Sequence, residues 1–305
     1  MKFKPKKSLG QNFLVDDNIL DIITNLGNIN TNSTILEIGP GTGNLTEKII
    51  LKKPKRIVLV EKDESLSKNL EKRFNGKVEV VNKDFLDLSI GNIKCKNLLI
   101  FGNLPYNVAS EILVKIIKNN KGFYYKKLVF MFQKEVAERI IAKQNTKNYS
   151  RISIISQWKL NIRKIKDISP NCFYPKPNVQ SSLLEFFPKK NYTKFNEIQN
   201  LEYITKVFFG FRRKMIKKPL RILFKDINKI SEKFQINLND RPQKLSPETY
   251  YKICCEYENQ LSKFSTWFWI FLLSILNNWL FKIFVIIFFN SLKHVSKSSL
   301  ITTKS

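Results

Sequence analysis

Ile35-Leu36-Glu37-Ile38-Gly39-Pro40-Gly41-Thr42-Gly43-Asn44-Leu45-Thr46 is the stretch on which the reading of this chain turns. A short apolar run enters a glycine-rich turn and leaves it at helical spacing, the junction at which open α/β sheets bind ligands. The spacing excludes a dinucleotide fingerprint. G-x-G-x-x-G would need glycine at 44 or 46, and the chain has Asn44 and Thr46 there. Pro40 suits a tight turn better than a pyrophosphate cradle. Alone, the loop is weak evidence, because many strand–helix turns use glycine for positive φ without binding anything.

The sequence around it supplies context. Strand-like runs at Thr34–Ile38, Arg56–Glu61, Val78–Val81, Asn97–Phe101 and Leu128–Gln133 are separated by helical patterns at Asn44–Leu51, Ser65–Phe74 and Ala109–Lys118. Continuous apolar strands alternating with helices predict a doubly wound, mostly parallel α/β sheet. Two later runs, near Ile152–Trp158 and Ser182–Phe186, are expected to form an antiparallel edge. An amphipathic helix is expected earlier, with Ile19, Leu20, Ile22, Ile23 and Leu26 on one face and Gly27-Asn28 as its stop. After Pro188-Lys189-Lys190 the strand runs cease, and residues 191–264 show about three helical patterns, including Tyr203–Arg213 and Leu220–Phe224. They predict a small all-α second domain.

Composition narrows the chemistry. The 305 residues carry 53 Lys+Arg against 25 Asp+Glu, a formal charge of +28, and are 43% hydrophobic. That content supports a sizeable core and excludes disorder and collagen-like repetition. The charge favours a polyanionic partner; codon composition is the competing source of a chain in which 44 of the 53 basic residues are lysine. The single histidine is His294, so no Ser-His-Asp or Cys-His arrangement and no two-histidine metal site exists in the first 293 residues. Cys95, Cys172, Cys254 and Cys255 lack paired spacing and read as reduced thiols of a cytosolic protein, with no metal role. The N-terminal Met-Lys-Phe-Lys-Pro-Lys-Lys has no apolar stretch after it, so no secretory leader is expected.

Two carboxylates fall at successive strand ends. Glu61 closes the second strand, where it can accept from both hydroxyls of a ribose. Asp84, in Asn82-Lys83-Asp84-Phe85, closes the third and can accept from an adenine amino group. Singly, each reads more readily as a solvated strand end. Together with the glycine loop on one rim of the sheet, they favour an adenosine-containing ligand.

The fourth strand ends in Gly102-Asn103-Leu104-Pro105-Tyr106. This tetrapeptide from Asn103 to Tyr106 resembles the catalytic motif of enzymes that methylate exocyclic amino groups of bases. An adenine N6 lone pair is delocalised into the ring and is a poor nucleophile. Acceptors on both its hydrogens, the Asn103 side-chain oxygen and a backbone carbonyl at Leu104 or Pro105, favour a pyramidal nitrogen and aim its lone pair. Tyr106 offers a face for the extruded base. Attack on a sulfonium methyl yields an acidic ammonium that water can deprotonate, so no histidine base is needed.

With these motifs the chain resembles the ribosomal RNA adenine N6,N6-dimethyltransferases, class I methyltransferases that dimethylate two adjacent adenines near the 3′ end of small-subunit (16S) rRNA. Further matching stretches are Gly10–Leu14, Glu37–Thr46, Val60–Asp63, Phe132–Arg139, Phe173–Ser181, Phe211–Lys214 and Arg241–Ser246, so the likeness covers about residues 4–262. The resemblance implies a Rossmann-like sheet and S-adenosyl-L-methionine as methyl donor, without a metal. It further implies cofactor contacts from Asn12, Leu14, Gly39, Glu61, Asp84 and Asn103, and catalysis at Asn103, Leu104, Pro105 and Tyr106. Phe173 is expected to stack on the target adenine opposite Tyr106, packing of that ring on the core being the alternative. The partner would be the rRNA of an immature small ribosomal subunit, bound by a cytoplasmic monomer. The implied domains are 1–188 for cofactor and catalysis, 189–264 for RNA and 265–305 as an extra tail.

Four lysines and no acids lie in that tail, leaving +24 on the body that would meet RNA. Trp267–Phe289 is 23 residues interrupted only by Ser274, Asn277, Asn278 and Lys282. As a helix it would span roughly 34 Å, enough to cross a membrane, although a central lysine opposes insertion by ~2.5–3.5 kcal/mol; a hydrophobic hairpin or a functionless extension are the alternatives. The competing functions are a large-subunit rRNA adenine methyltransferase of the antibiotic-resistance type, a DNA adenine methyltransferase, and a non-catalytic nucleic-acid-binding relative. Lys134–Arg139 and Arg241–Ser246 favour the small-subunit enzyme, and the intact Asn103–Tyr106 motif opposes a purely binding role.

Overall fold

Alternation of buried strands and amphipathic helices dominates the first half of the chain. The computed structural model describes residues 5–6, 9–89, 97–119 and 124–262. In chain order the first elements are β1 (Phe13–Leu14), α1 (Asp17–Leu26), β2 (Thr34–Ile38), α2 (Asn44–Leu51), β3 (Arg56–Glu61), α3 (Glu64–Arg73), β4 (Glu79–Asn82), β5 (Leu98–Asn103), α4 (Ala109–Lys118) and β6 (Lys127–Gln133). Then come α5 (Lys134–Ile141), α6 (Arg151–Lys159), β7 (Leu160–Ile168), β8 (Phe173–Tyr174), β9 (Ser181–Pro188), α7 (Ile198–Gly210), α8 (Lys217–Leu223) and α9 (Ile227–Phe234). Residues 247–262 are helical.

Seven strands form one sheet in the order β4-β3-β2-β5-β6-β9-β7. The five from β4 to β6 are parallel, while β9 runs antiparallel to both β6 and β7. The order reverses beside β2, so the turns after β2 and β5 open onto the same crevice. Both faces are covered at the central strands β2, β3, β5 and β6, which is why these read as nearly unbroken apolar runs. On one face Ile35, Leu59, Phe101 and Met131 join Ile23, Ile49 and Leu70 of α1, α2 and α3 in a single buried cluster. Alternate residues of the strands face the other way, where Phe130, Phe132 and Phe186 pack edge to face or tilted at 6.0–6.3 Å. A separate two-stranded ribbon pairs β1 with β8, Phe13 opposite Tyr174 and Leu14 opposite Phe173. It ties the N-terminal segment to the chain that enters β9.

One element differs in kind from expectation. Ile152–Trp158 is helical, lying within α6, and the antiparallel edge strand is Leu160–Ile168 just after it. The isoleucines of α6 suggested a strand because a helix buried on several sides has no polar stripe. Ser153, Ile154, Ile155, Ser156 and Trp158 are all buried, and α6 packs against α4, α5 and α7. Ser150 and Ser153 close a capping box at its start. The edge strand carries no apolar run because its exposed face is Asn161, Arg163 and their charged neighbours, the pattern that blunts an edge against further pairing.

The described residues up to Lys252 make one compact unit that includes α7, α8 and α9, and those from Ile253 fall outside it. Cys95, His294 and the apolar Trp267–Phe289 lie outside the described residues. Among the described residues no helix is long and apolar enough to cross a membrane.

Candidate active site

The ends of β2, β3, β4 and β5 and the segment of residues 9–14 wall one pocket. Gly39, Gly41 and Gly43 all take positive φ as the chain turns from β2 into α2. Gly41 shows what the turn demands. At its φ of +60° a side chain is strained, and a Cβ there would come within 2.8 Å of the Phe13 ring. The loop is therefore pressed against the N-terminal segment.

Glu61 is buried at the end of β3, 7% exposed. Its Oε2 accepts from the Gly41 N–H at 3.1 Å and its Oε1 from the Asp63 N–H at 2.9 Å. The carboxylate both faces the pocket and braces the glycine loop. Burial pushes its pKa up, against the lowering effect of those two N–H donors. Asp84, after β4, accepts from the Leu86 N–H at 2.8 Å through Oδ1 and pairs with Lys62 Nζ at 2.8 Å through Oδ2. Burial raises its pKa, but Lys62 and the Leu86 N–H hold it below the usual carboxylate value. Phe85 beside it is buried and lines the same wall.

Asn103 ends β5 with its carboxamide turned toward residue 12. Its Nδ2 donates to the Asn12 carbonyl at 2.8 Å, so Oδ1 is the atom left to accept from a ligand. In the turn that follows, the Pro105 carbonyl accepts from the Val108 and Ala109 N–H groups at 3.1 and 3.0 Å as α4 begins. Pro105 is thereby committed to the turn, and the Leu104 carbonyl remains as the second acceptor. The Leu104 side chain is buried over Gly102, whose hypothetical Cβ would meet it at 2.6 Å. The Tyr106 hydroxyl shares a hydrogen bond of 2.6 Å with Ser181 Oγ, which fixes one edge of the ring against the start of β9. Burial pushes the Tyr106 phenol pKa up, with the Ser181 hydrogen bond opposing.

Asn12, Leu14, Gly39, Glu61, Asp84, Asn103, Leu104 and Pro105 thus line a single pocket. Tyr106 sits at its edge in the same turn. Phe173 does not join them: its ring is 4% exposed within the apolar cluster that also contains Leu14. A ring so enclosed has no open face for a base, and the exposed aromatic of that ribbon is its neighbour Tyr174.

Several pocket groups were not singled out from sequence. Glu37 is buried beneath the glycine loop, its Oε2 accepting from Thr46 Oγ1 at 2.7 Å. Burial, reinforced by the charge of Glu61 and opposed by Thr46, raises its pKa to about 7. Its signal was present, as a carboxylate inside an otherwise apolar strand needs a reason. Gln11, which lines the pocket and donates to Asp63 behind it, had no such signal. Among the described residues no group of three or more His, Cys, Asp or Glu could hold a metal.

The donor set suits a nucleoside cofactor bearing a positive charge. Carboxyl groups of Glu61, Asp84 and Glu37 supply acceptors and, when ionised, negative charge, while Leu45, Val60, Phe85 and Val108 supply apolar wall. Comparison with known proteins agrees. A family model described as ribosomal RNA adenine dimethylase matches residues 2–259. A ribosomal RNA small subunit methyltransferase A of Pelagibacter ubique is 50% identical over 260 residues, covering 85% of this chain and 99% of the relative. Its namesake in Ehrlichia canis is 40% identical over 255 residues, covering 82% and 95%. Among solved structures, a dimethyladenosine transferase from Plasmodium falciparum superposes with a TM-score of 0.70 at 24% identity, covering 81% of this chain and 98% of that one.

Proposed function

Because this chain belongs to the ribosomal RNA adenine dimethylase family, we propose that it uses S-adenosyl-L-methionine to dimethylate N6 of two adjacent adenines near the 3′ end of small-subunit rRNA. The observation that carries this reading is the meeting of two half-sites in one pocket. The glycine loop with Glu61 and Asp84 forms one half, and Asn103, Leu104 and Pro105 the other, with Tyr106 next in the same turn.

Asn12, Leu14, Gly39, Glu61, Asp84 and Asn103 would hold the cofactor, which when bound supplies an electrophilic methyl group on a sulfonium. The chain supplies position and hydrogen-bond acceptors. Asn103 Oδ1 and the Leu104 carbonyl accept the two hydrogens of the target amine, concentrating its lone pair on the side of the methyl donor. Acceptors aligned before the reaction stabilise the positive charge that grows on nitrogen without reorganising. Tyr106, pinned by Ser181, offers the face on which the extruded adenine stacks. The ammonium proton passes to water.

RNA binding rests on charge. A cleft at α8 and the turn before it is walled by Arg213, Lys214, Lys217, Lys218, Arg221 and Arg241 and carries no carboxylate. This supports assigning residues 189–264 to the RNA and 1–188 to cofactor and catalysis. Phosphate contacts there would orient the subunit, while the base is read in the pocket. The enzyme would work as a monomer in the cytoplasm on immature small subunits. Fractionation of cells making the full chain and a form ending at Lys263 decides the part played by 267–289: both forms in the supernatant exclude an anchor, and a full chain that needs detergent supports one.

The test is methyl transfer to ribosomal subunits purified from a strain that lacks this modification. Label from a tritiated methyl donor is expected in small-subunit rRNA and lost with Asn103→Ala. Label confined to large-subunit rRNA contradicts the reading.

A further inference from the structure

Residues 9–14 cross the cofactor pocket as a strap, and the strap is fastened at both ends. At its far end the Leu14 carbonyl accepts from Asn44 Nδ2 at 2.8 Å, and β1 pairs with β8. At its near end the fastening is Asp63. Its Oδ2 receives Gln11 Nε2 at 3.1 Å and Lys6 Nζ at 2.8 Å, while Gln11 Oε1 accepts from the Lys6 backbone N–H at 2.7 Å. Between the two ends lies the Asn12 carbonyl that takes Asn103 Nδ2.

The two oxygens of Asp63 divide their work. Oδ1 caps α3, accepting from the Ser65 N–H at 3.0 Å, from Ser65 Oγ at 2.6 Å and from the Leu66 N–H at 3.4 Å. Oδ2 belongs to the strap. A helix cap needs only one acceptor, so the second set of contacts is not explained by α3. Lys6 is about half exposed, and an ion pair there contributes little. Gln11, part-buried against a carboxylate 4% exposed, makes the stronger tie.

We propose that Asp63 is a positioning residue for methyl transfer: through Gln11 it fastens the strap across the cofactor, and the strap's Asn12 carbonyl in turn holds the Asn103 carboxamide with Oδ1 toward the target amine. The proposal rests on the role given above to Asn103. Burial pushes the Asp63 carboxyl up, but Lys6, Ser65 and Gln11 outweigh it and keep the group below the usual carboxylate range. The fastening is therefore ionised throughout the neutral range.

The divided carboxylate allows a selective test. Asp63→Asn retains an oxygen for the cap, and asparagine caps helices as well as aspartate does, but it turns an amide donor toward two donors. Gln11→Glu sets carboxylate against carboxylate without changing shape. The double variant restores a hydrogen bond of reversed direction, the new amide donating to the new carboxylate, and leaves the Lys6 N–H its acceptor.

Each single variant is expected to weaken S-adenosylmethionine binding, measured by calorimetry, about tenfold and to lower kcat at saturating cofactor. The double variant is expected to recover most of both, and all three to melt within a few degrees of the parent. Gln11→Glu lies outside the α3 cap, so parental affinity and kcat in that variant overturn the proposal whatever Asp63→Asn does. A double variant no better than the worse single one overturns it too. Calorimetry needs no RNA: if the parent enzyme methylates no small subunits, the role of Asn103 fails, while the cofactor affinities still decide whether Asp63 fastens the strap.

Discussion

Glu37→Gln should change how the protein responds to pH, in a direction the structure fixes. The Glu37 carboxyl is buried, and its pKa is raised from 4.5 to about 7. Between those values the unfolded chain has released its proton and the folded chain has kept it. Stability therefore falls as pH rises across that window, and the advantage present at pH 4.5 is gone once the pH passes about 7. At about 1.4 kcal/mol for each tenfold change in proton affinity, the loss attributable to this group is at most about 3 kcal/mol. Glutamine keeps an acceptor for Thr46 Oγ1, which now donates to Glu37 at 2.7 Å, and has no proton to lose. Urea denaturation of both proteins from pH 5 to pH 8 isolates the effect, since other titrating groups cancel in the difference. The parent should lose up to about 3 kcal/mol relative to the variant over that range. A cationic cofactor entering beside Glu37 favours the ionised form, so its affinity should rise with pH in the parent and stay flat in the variant. A stability difference that does not change with pH would refute the reasoning.

Other outcomes follow from the same geometry. Glu61→Ala should weaken S-adenosylmethionine binding about tenfold or more in calorimetry. It should also lower the melting temperature, because the Gly41 and Asp63 N–H groups lose their acceptor at about 1–3 kcal/mol each; unchanged affinity would remove Glu61 from the site. Asn103→Ala should depress single-turnover methyl transfer at saturating substrate far more than RNA affinity, since its work is concentrated in the transition state. Affinity for small subunits should fall steeply with added salt as counterion release is lost. A flat response would assign the +24 of the body to genome composition.

The sheet was legible because its central strands are buried on both faces while α1 to α4 each keep an exposed face. Thr34–Ile38 and Asn44–Leu51 come out where the apolar pattern placed them, with the glycine loop between. Ile152–Trp158 misled for the opposite reason: a helix packed on several sides carries no periodic polar face, so its isoleucines mimic a strand. Glu61, Asp84 and Asn103 could be found because each lies at or just past a strand end, and strand ends on one rim converge. The contacts among them could not. That the Asn103 carboxamide is oriented by a backbone carbonyl 91 residues away, or that Asp63 serves a helix and a distant strap at once, depends on chain closure rather than local spacing. Phe173 marks the same limit. Its place in a loop with Pro175 and Pro177 suggested a presented ring, and pairing of β8 with β1 buries it.

The central claim is that one pocket joins a methyl donor to the N6 of two particular adenines. Mass-spectrometric mapping of small-subunit rRNA, after reaction of unmodified subunits with the enzyme and S-adenosylmethionine, tests it most directly. The account predicts two adjacent N6,N6-dimethyladenines near the 3′ end, present with the parent enzyme and absent with Asn103→Ala. Methylation at another nucleotide, at a ring nitrogen, or undiminished in the variant would contradict it.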